Sequence, residues 1–202
     1  MIRLIHWYSD MKKILYINAC CRENSRTNEL AQYLLGGLDG HIECVNLYEE
    51  KIESLNAELL SERDKLLKAG ETNYDLFCLA KQFASADTIV IAAPYWDLMF
   101  PSILKVYLEN ITVCGITFRY SDKGIPQSLC KAKNLCYITT AGGFIGDNNF
   151  GFDYVRALAT GFFGIDNVRF FSAEGLDIYG ADVDQIMKKA KENMLFQISN
   201  NK

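Results

Sequence analysis

Two stretches of the chain combine residue types that suit the holding of a small molecule with an anionic end and a flat end. The first is Asn18-Ala19-Cys20-Cys21-Arg22-Glu23-Asn24-Ser25-Arg26-Thr27-Asn28. It leaves an apolar run and enters a helical one, so backbone N–H groups and the positive end of a helix converge there, as a phosphate requires. Ser25 and Thr27 bring hydroxyl donors, and Arg22 and Arg26 bring charge to the rim. Neither GxGxxG nor GxxxxGKS occurs, so neither the dinucleotide fingerprint nor the P-loop applies. Hydroxyls and amides must hold the phosphate instead.

The second stretch is Pro94-Tyr95-Trp96-Asp97-Leu98-Met99-Phe100-Pro101. Its backbone N–H groups at 95 to 98 could bond the polar edge of a flat ring, while Tyr95, Trp96 and Leu98 cover the apolar part. A third loop, Thr140-Ala141-Gly142-Gly143, has glycines that let a backbone approach such a ring closely. Each stretch also has an ordinary use. A serine caps helices, aromatics roof cores and glycines make turns, so placement in the fold decides among them.

The elements that position these loops follow an alternating pattern. Strands are expected at Ile14 to Asn18, Glu43 to Leu47, Thr88 to Ala93, Asn134 to Thr139 and Val168 to Ser172, as apolar runs suited to burial on both faces. Helices are expected at Ser25 to Leu38, Asn73 to Ala86, Pro101 to Ile111, Phe152 to Phe163 and Asp182 to Phe196. The charged, leucine-rich segment Glu49 to Asn73 reads as an inserted helix or two. This is the α/β class, a three-layer sandwich around a five-stranded parallel sheet of order 2-1-3-4-5. In that order the first and third strands flank the switch point, so the first two loops face one crevice.

Composition narrows the classes. With 202 residues, half of them hydrophobic, the chain can bury one substantial core. Residues 11–202 read as one domain, and residues 1–10, before Met11-Lys12-Lys13, as an N-terminal extension. The net charge of −4 comes without a polybasic run, which argues against nucleic acid. No apolar run approaches the roughly 20 residues of a membrane span. Seven cysteines without a CxxC pair, and two histidines, suit reduced thiols in a cytoplasm rather than a metal site. Cys44, Cys78, Cys114, Cys130 and Cys136 are expected as small buried hydrophobes.

Together NACCRENSRTNEL, APYWDLMFPSILKVYLENI, GITFRYSDKG and TTAGGF resemble the FMN-dependent NADH azoreductase and NAD(P)H:quinone reductase family, over nearly all of residues 12 to 176. The resemblance implies a flavodoxin-like homodimer with FMN at the subunit interface. It also implies hydride transfer by a ping-pong route, from NADH or NADPH to flavin and then to a quinone, azo or similar small acceptor. It places Cys20, Ser25, Arg26 and Thr27 on the phosphate-binding loop, beside the rim charge of Arg22. Tyr95 to Leu98 fall on the isoalloxazine loop, with Pro94 leading into it as a further cofactor-binding candidate, and Thr140 to Gly143 fall on a third FMN-contacting loop. Gly115 to Tyr120 lead into an excursion above the crevice, where Phe118 and Tyr120 are candidates to wall the substrate space, with core packing of Phe118 an equal alternative. Asp97 stands where the family commonly has an amide.

Two other readings share these residues. Cys20 and Arg26 in C-x5-R spacing resemble low-molecular-weight protein tyrosine phosphatases, with a thiolate nucleophile and an arginine clamp. The intervening residues lack glycine, and no Asp-Pro follows to supply the acid. A flavodoxin electron carrier is the other alternative, against which the insert Glu49 to Asn73 counts.

Overall fold

The computed structural model describes residues 11–199, and the segment 1–10 read as an extension lies outside them. Strands β1 (Lys13–Asn18), β2 (His41–Asn46), β3 (Thr88–Ala92), β6 (Asn134–Thr140) and β7 (Asn167–Ala173) pair in parallel in the order β2-β1-β3-β6-β7. Counted within that sheet alone, this is the expected order 2-1-3-4-5. Helices α1 (Arg26–Leu35) and α6 (Val183–Ser199) cover one face, and α3 (Cys78–Ser85), α4 (Ser102–Ile111) and α5 (Phe150–Gly161) the other. Helix α2 (Ala57–Ala69) is the single helix of the insert.

The apolar strands are two-faced because successive side chains alternate. In β1, Ile14 and Tyr16 pack with Leu30 and Leu34 of α1, while Leu15 and Ile17 pack on the α3–α5 side with Phe83 and Leu104. The same alternation repeats in β3, with Val90 on one face and Ile89 and Ile91 on the other. Burial of each such side chain contributes roughly 2 kcal/mol. The edge strand β2 departs from the expectation of burial on both faces, since His41 to Cys44 are exposed and only Val45 is buried. With one sheet neighbour and an open outer side, it has less to pack against.

That difference carries over to the thiols. All seven cysteines are free; Cys20, Cys130 and Cys136 are buried, whereas Cys44, Cys78 and Cys114, expected inside, are exposed. Cys44 is exposed through its place on the edge strand, and Cys78 opens α3 on its outer side.

Helix α4 returns the chain from the carboxyl edge of the sheet to its amino edge. The next residues therefore build a small hairpin there, β4 (Phe118–Tyr120) with β5 (Pro126–Ser128). It is tied down by Lys131 N–H to Ala84 O at 2.9 Å and Ser128 Oγ to Phe163 O at 2.5 Å. Phe118 is buried edge-on to Phe162, with ring centroids 4.9 Å apart. Within the chain this places Phe118 and Tyr120 at the end of the sheet opposite the crevice, which corrects the expectation of an excursion above it.

Candidate functional site

Asn18, the last residue of β1, turns the chain outward by accepting the Cys20 N–H on Oδ1 at 3.0 Å. Ser25 then starts α1 as its N-cap, taking the Asn28 N–H on Oγ at 3.3 Å and the Glu29 N–H on its carbonyl at 2.9 Å. Between these fixed points the amides of residues 21–27 make no hydrogen bond with any described residue. A run of unsatisfied N–H groups at a helix start is an anion-binding concavity. A cavity of about 300 Å³ lies against it, lined by Cys20 to Arg22 and Asn24 to Arg26, with Pro94, Trp96 and Asp177.

The Pro94–Pro101 loop is a tight two-residue turn. Trp96 N–H reaches Met99 O at 2.9 Å and Met99 N–H reaches Trp96 O at 2.8 Å. Asp97 at φ 49° and Leu98 at φ 68° occupy its two central places, both in the left-handed region. Two positive φ values are what such a turn demands. Aspartate tolerates that region, but leucine there costs about 1 kcal/mol or more. Strain of this kind is retained where the turn serves a purpose. Here it holds out the amides of Asp97 and Leu98, which have no partner among the described residues.

The third loop is held by its neighbours. Thr140 O accepts the Tyr95 N–H at 3.0 Å, and Tyr95 Oη donates to Asn148 O at 2.9 Å. Ala141 N–H is bonded to Ala173 O at 2.9 Å, and its carbonyl takes the Leu176 N–H at 3.2 Å. Glu174 braces the far side, accepting from Ile145 N–H at 3.0 Å and Ser172 Oγ at 2.8 Å. These bonds anchor the loop on both sides.

All three expected loops meet at the carboxyl edge of the sheet, and within them the residues divide. Arg22, Ser25, Arg26, Pro94 and Trp96 line the cavity, and Asp97 and Leu98 offer free amides. Gly142 and Gly143 also keep free N–H groups among the described residues. The Tyr95 and Trp96 amides, expected to meet a ring edge, are spent inside the protein. Ala141 is buried with both backbone groups used, so it packs rather than binds. Thr27 is buried, its Oγ1 2.6 Å from Thr140 Oγ1. Phe118 and Tyr120 lie far from these loops, as described above.

Sequence reasoning passed over Asp177, which lies at the cavity mouth with Oδ1 3.3 Å from Arg26 Nη1. The signal open to it was position alone, three residues past Glu174 at the same sheet edge.

Cys20 lacks the surroundings of a nucleophile. It is buried, its Sγ stands 3.8 Å from Ala92 O, and burial pushes its thiol up to about 11. A phosphatase cysteine requires the opposite shift. Among the described residues no group of three histidine, cysteine or acidic side chains could hold a metal ion. No helix among them is long and apolar enough to cross a membrane.

A parallel 2-1-3-4-5 sheet with an anion-binding first loop and amide-presenting loops beside it defines a flavodoxin-like protein. Residues 12–198 match the family described as having a flavodoxin-like fold, and the chain belongs to that family. Among its relatives is the FMN-dependent NADH:quinone oxidoreductase of Clostridium beijerinckii, 36% identical over 189 residues that cover 89% of this chain and 94% of that one. The FMN-dependent NADH:quinone oxidoreductase 2 of Clostridium acetobutylicum is 37% identical over 199 residues, covering 90% and 98%. Among solved structures, an FMN-dependent NADH-azoreductase from Bacillus anthracis in complex with FMN superposes with a TM-score of 0.78 at 24% identity. That match covers 94% of this chain and 99% of the other and speaks to the fold.

Proposed function

We propose that the chain is an FMN-dependent NADH:quinone oxidoreductase that also accepts azo compounds or similar flat, oxidised molecules. The observation that carries this reading is the pairing of two features at one crevice. One is the run of free amides at residues 21–27 over a cavity of about 300 Å³, and the other is the strained turn that presents the Asp97 and Leu98 amides beside it. The relatives' names agree with it.

The residues fit FMN. The amides of 21–27, the Ser25 hydroxyl and the Arg22 and Arg26 guanidinium groups would hold its phosphate. The amides of Asp97, Leu98, Gly142 and Gly143 would meet the polar edge of the ring. FMN, when bound, supplies reversible two-electron hydride chemistry, so no side chain need act as acid or base. The exposed apolar side chains of Trp96, Leu98 and Phe144 rim the place where a flat donor or acceptor would lie. A single such place suits a ping-pong order, in which nicotinamide leaves before the acceptor enters. NADH is the donor that the relatives' names favour over NADPH.

Exposed Phe144, Phe150, Ile178 and Tyr179 around the crevice support a homodimer in which a second copy covers this apolar rim. Seven free cysteines suit a cytoplasmic site of action.

The test is an anaerobic titration of the FMN-supplied protein with NADH. Loss of the yellow flavin absorption, and its return on adding a quinone, supports the reductase. Retention of colour until a partner protein is added would favour the electron carrier. A protein that stays colourless with FMN would overturn the flavin reading altogether.

A further inference from the structure

Asp177 is a charged cavity residue to which the flavin reading gives no task. Its loop follows β7, and its N–H is anchored on Gly142 O at 2.9 Å. The carboxylate lies over Gly142 so closely that a Cβ there would stand 2.4 Å from Asp177 Oδ2. From that seat Oδ1 faces Arg26 Nη1 at 3.3 Å across the cavity mouth. Arg22 and Arg26 are the cavity's two lining cations, so a fixed carboxylate offsets one of them at the place meant for an anion. Both partners are solvated, with 43% and 75% of their side chains exposed, so the pair is weak and can exchange.

We propose that Asp177 is a resident counter-anion, which holds Arg26 until the flavin phosphate takes its place and which thereby sets how tightly flavin is retained. The proposal rests on the flavin reading above. Arg26 has two acceptors competing for it, one on the protein and one on the ligand. When the phosphate engages the guanidinium, Asp177 loses its partner and is left as a carboxylate beside a dianion. Flavin binding therefore gains less than the cavity's two arginines alone would supply. Gly142 is part of the device, because any larger residue would push the carboxylate off its seat.

Flavin binding, read by quenching of flavin fluorescence, tests this with FMN and with riboflavin, which has the ring but no phosphate. Asp177→Asn keeps the shape and removes the charge. It is expected to tighten FMN about fivefold, the scale of one screened charge interaction, and to leave riboflavin unchanged. In the double variant Arg26→Gln with Asp177→Asn, that gain over Arg26→Gln alone should shrink, since Asp177 then has no guanidinium to withhold. The proposal is overturned if Asp177→Asn weakens FMN or leaves it unchanged, which would make the pair a clasp or a bystander. It is equally overturned if riboflavin tightens by the same factor, because the effect would then bypass the phosphate. A wild-type protein that binds neither flavin would sink the flavin reading itself, and this proposal with it.

Discussion

Thr27 Oγ1 and Thr140 Oγ1 lie 2.6 Å apart, joining the first turn of α1 to the end of β6 across 113 residues of sequence. Two hydroxyls that share one hydrogen bond leave one proton uncommitted. The pair is therefore a brace between two loops, and under the flavin reading its second proton is a donor for the phosphate.

Thr27→Val keeps the β-branched shape and removes the hydroxyl from a buried site. A loss of about 1 kcal/mol in stability is expected, as for a typical buried hydrogen bond. FMN affinity should fall by roughly tenfold, one hydrogen bond's worth, and riboflavin affinity by less. Thermal melts and fluorescence titrations of the same variant separate the two roles. Equal losses for both flavins would mean that the pair only braces the loops.

Asp97 sits in the left-handed region, where asparagine is as well tolerated as aspartate. Asp97→Asn should therefore leave the melting temperature unchanged while removing a negative charge from the turn proposed to meet the flavin ring. A carboxylate there opposes the anionic reduced form, so its removal should raise the midpoint potential of bound FMN. About 30 mV is expected for the two-electron couple, equivalent to roughly 1.4 kcal/mol. Spectroelectrochemical titration of both proteins checks it, and an unchanged or lower potential would show that the carboxylate does not sense the ring.

The fold was legible in the sequence because the strands are dense apolar runs and the helix starts carry caps. Ser25 and Asp182, the latter accepting the Gln185 N–H at 3.0 Å, stand where capping chemistry places them. The three loops were legible because they follow strands whose order fixes a shared edge. What escaped was set by tertiary pairing or by unusual turn chemistry. Asp97-Leu98 lacks the glycine or asparagine that signals a positive-φ turn, so the sequence did not reveal which of the amides at 95 to 98 would stay free. Arg26 and Asp177 are 151 residues apart and meet only because two loops converge. The strands β4 and β5, at three residues each, are too short to show a period, so their hairpin was not foreseen and the segment was read as an excursion above the crevice.

Thiol labelling discriminates the two chemistries offered by Cys20. Exposed Cys21, Cys78 and Cys114 should react readily with a maleimide near neutral pH, Cys44 less readily because partial burial and Glu49 push its thiol up, and buried Cys20, Cys130 and Cys136 slowly. Burial raises the thiols of Cys20 and Cys136 to about 11 and that of Cys130 to about 12, so protection should persist until the pH is strongly alkaline. Cys20→Ser should retain FMN binding, and neither protein should hydrolyse an aryl phosphate. Hydrolysis by the wild type that vanishes in Cys20→Ser would restore the phosphatase reading.

Asp87 supplies the clearest link between pH and stability. Its Oδ1 stands 2.7 Å from Lys131 Nζ, and its Oδ2 accepts the Lys13 N–H at 2.8 Å, so it ties the amino ends of β1 and β3 to the approach to β6. Those partners hold its carboxyl below the ordinary 3.8, the Lys131 ammonium contributing most and the Lys13 amide next. A carboxyl lowered by folding binds its proton more readily in the unfolded chain. Its stabilisation is then fully present above 3.8 and is lost as the pH falls through the lower folded value. Asp87→Asn removes the charge and is expected to cost about 1 kcal/mol at neutral pH, the scale of a charged hydrogen bond offset by solvent. Denaturant melts of both proteins should show that difference shrinking as the pH drops below about 4. A gap that stayed constant down to about pH 2 would mean that the carboxylate's charge contributes nothing and that only the shape of the side chain matters.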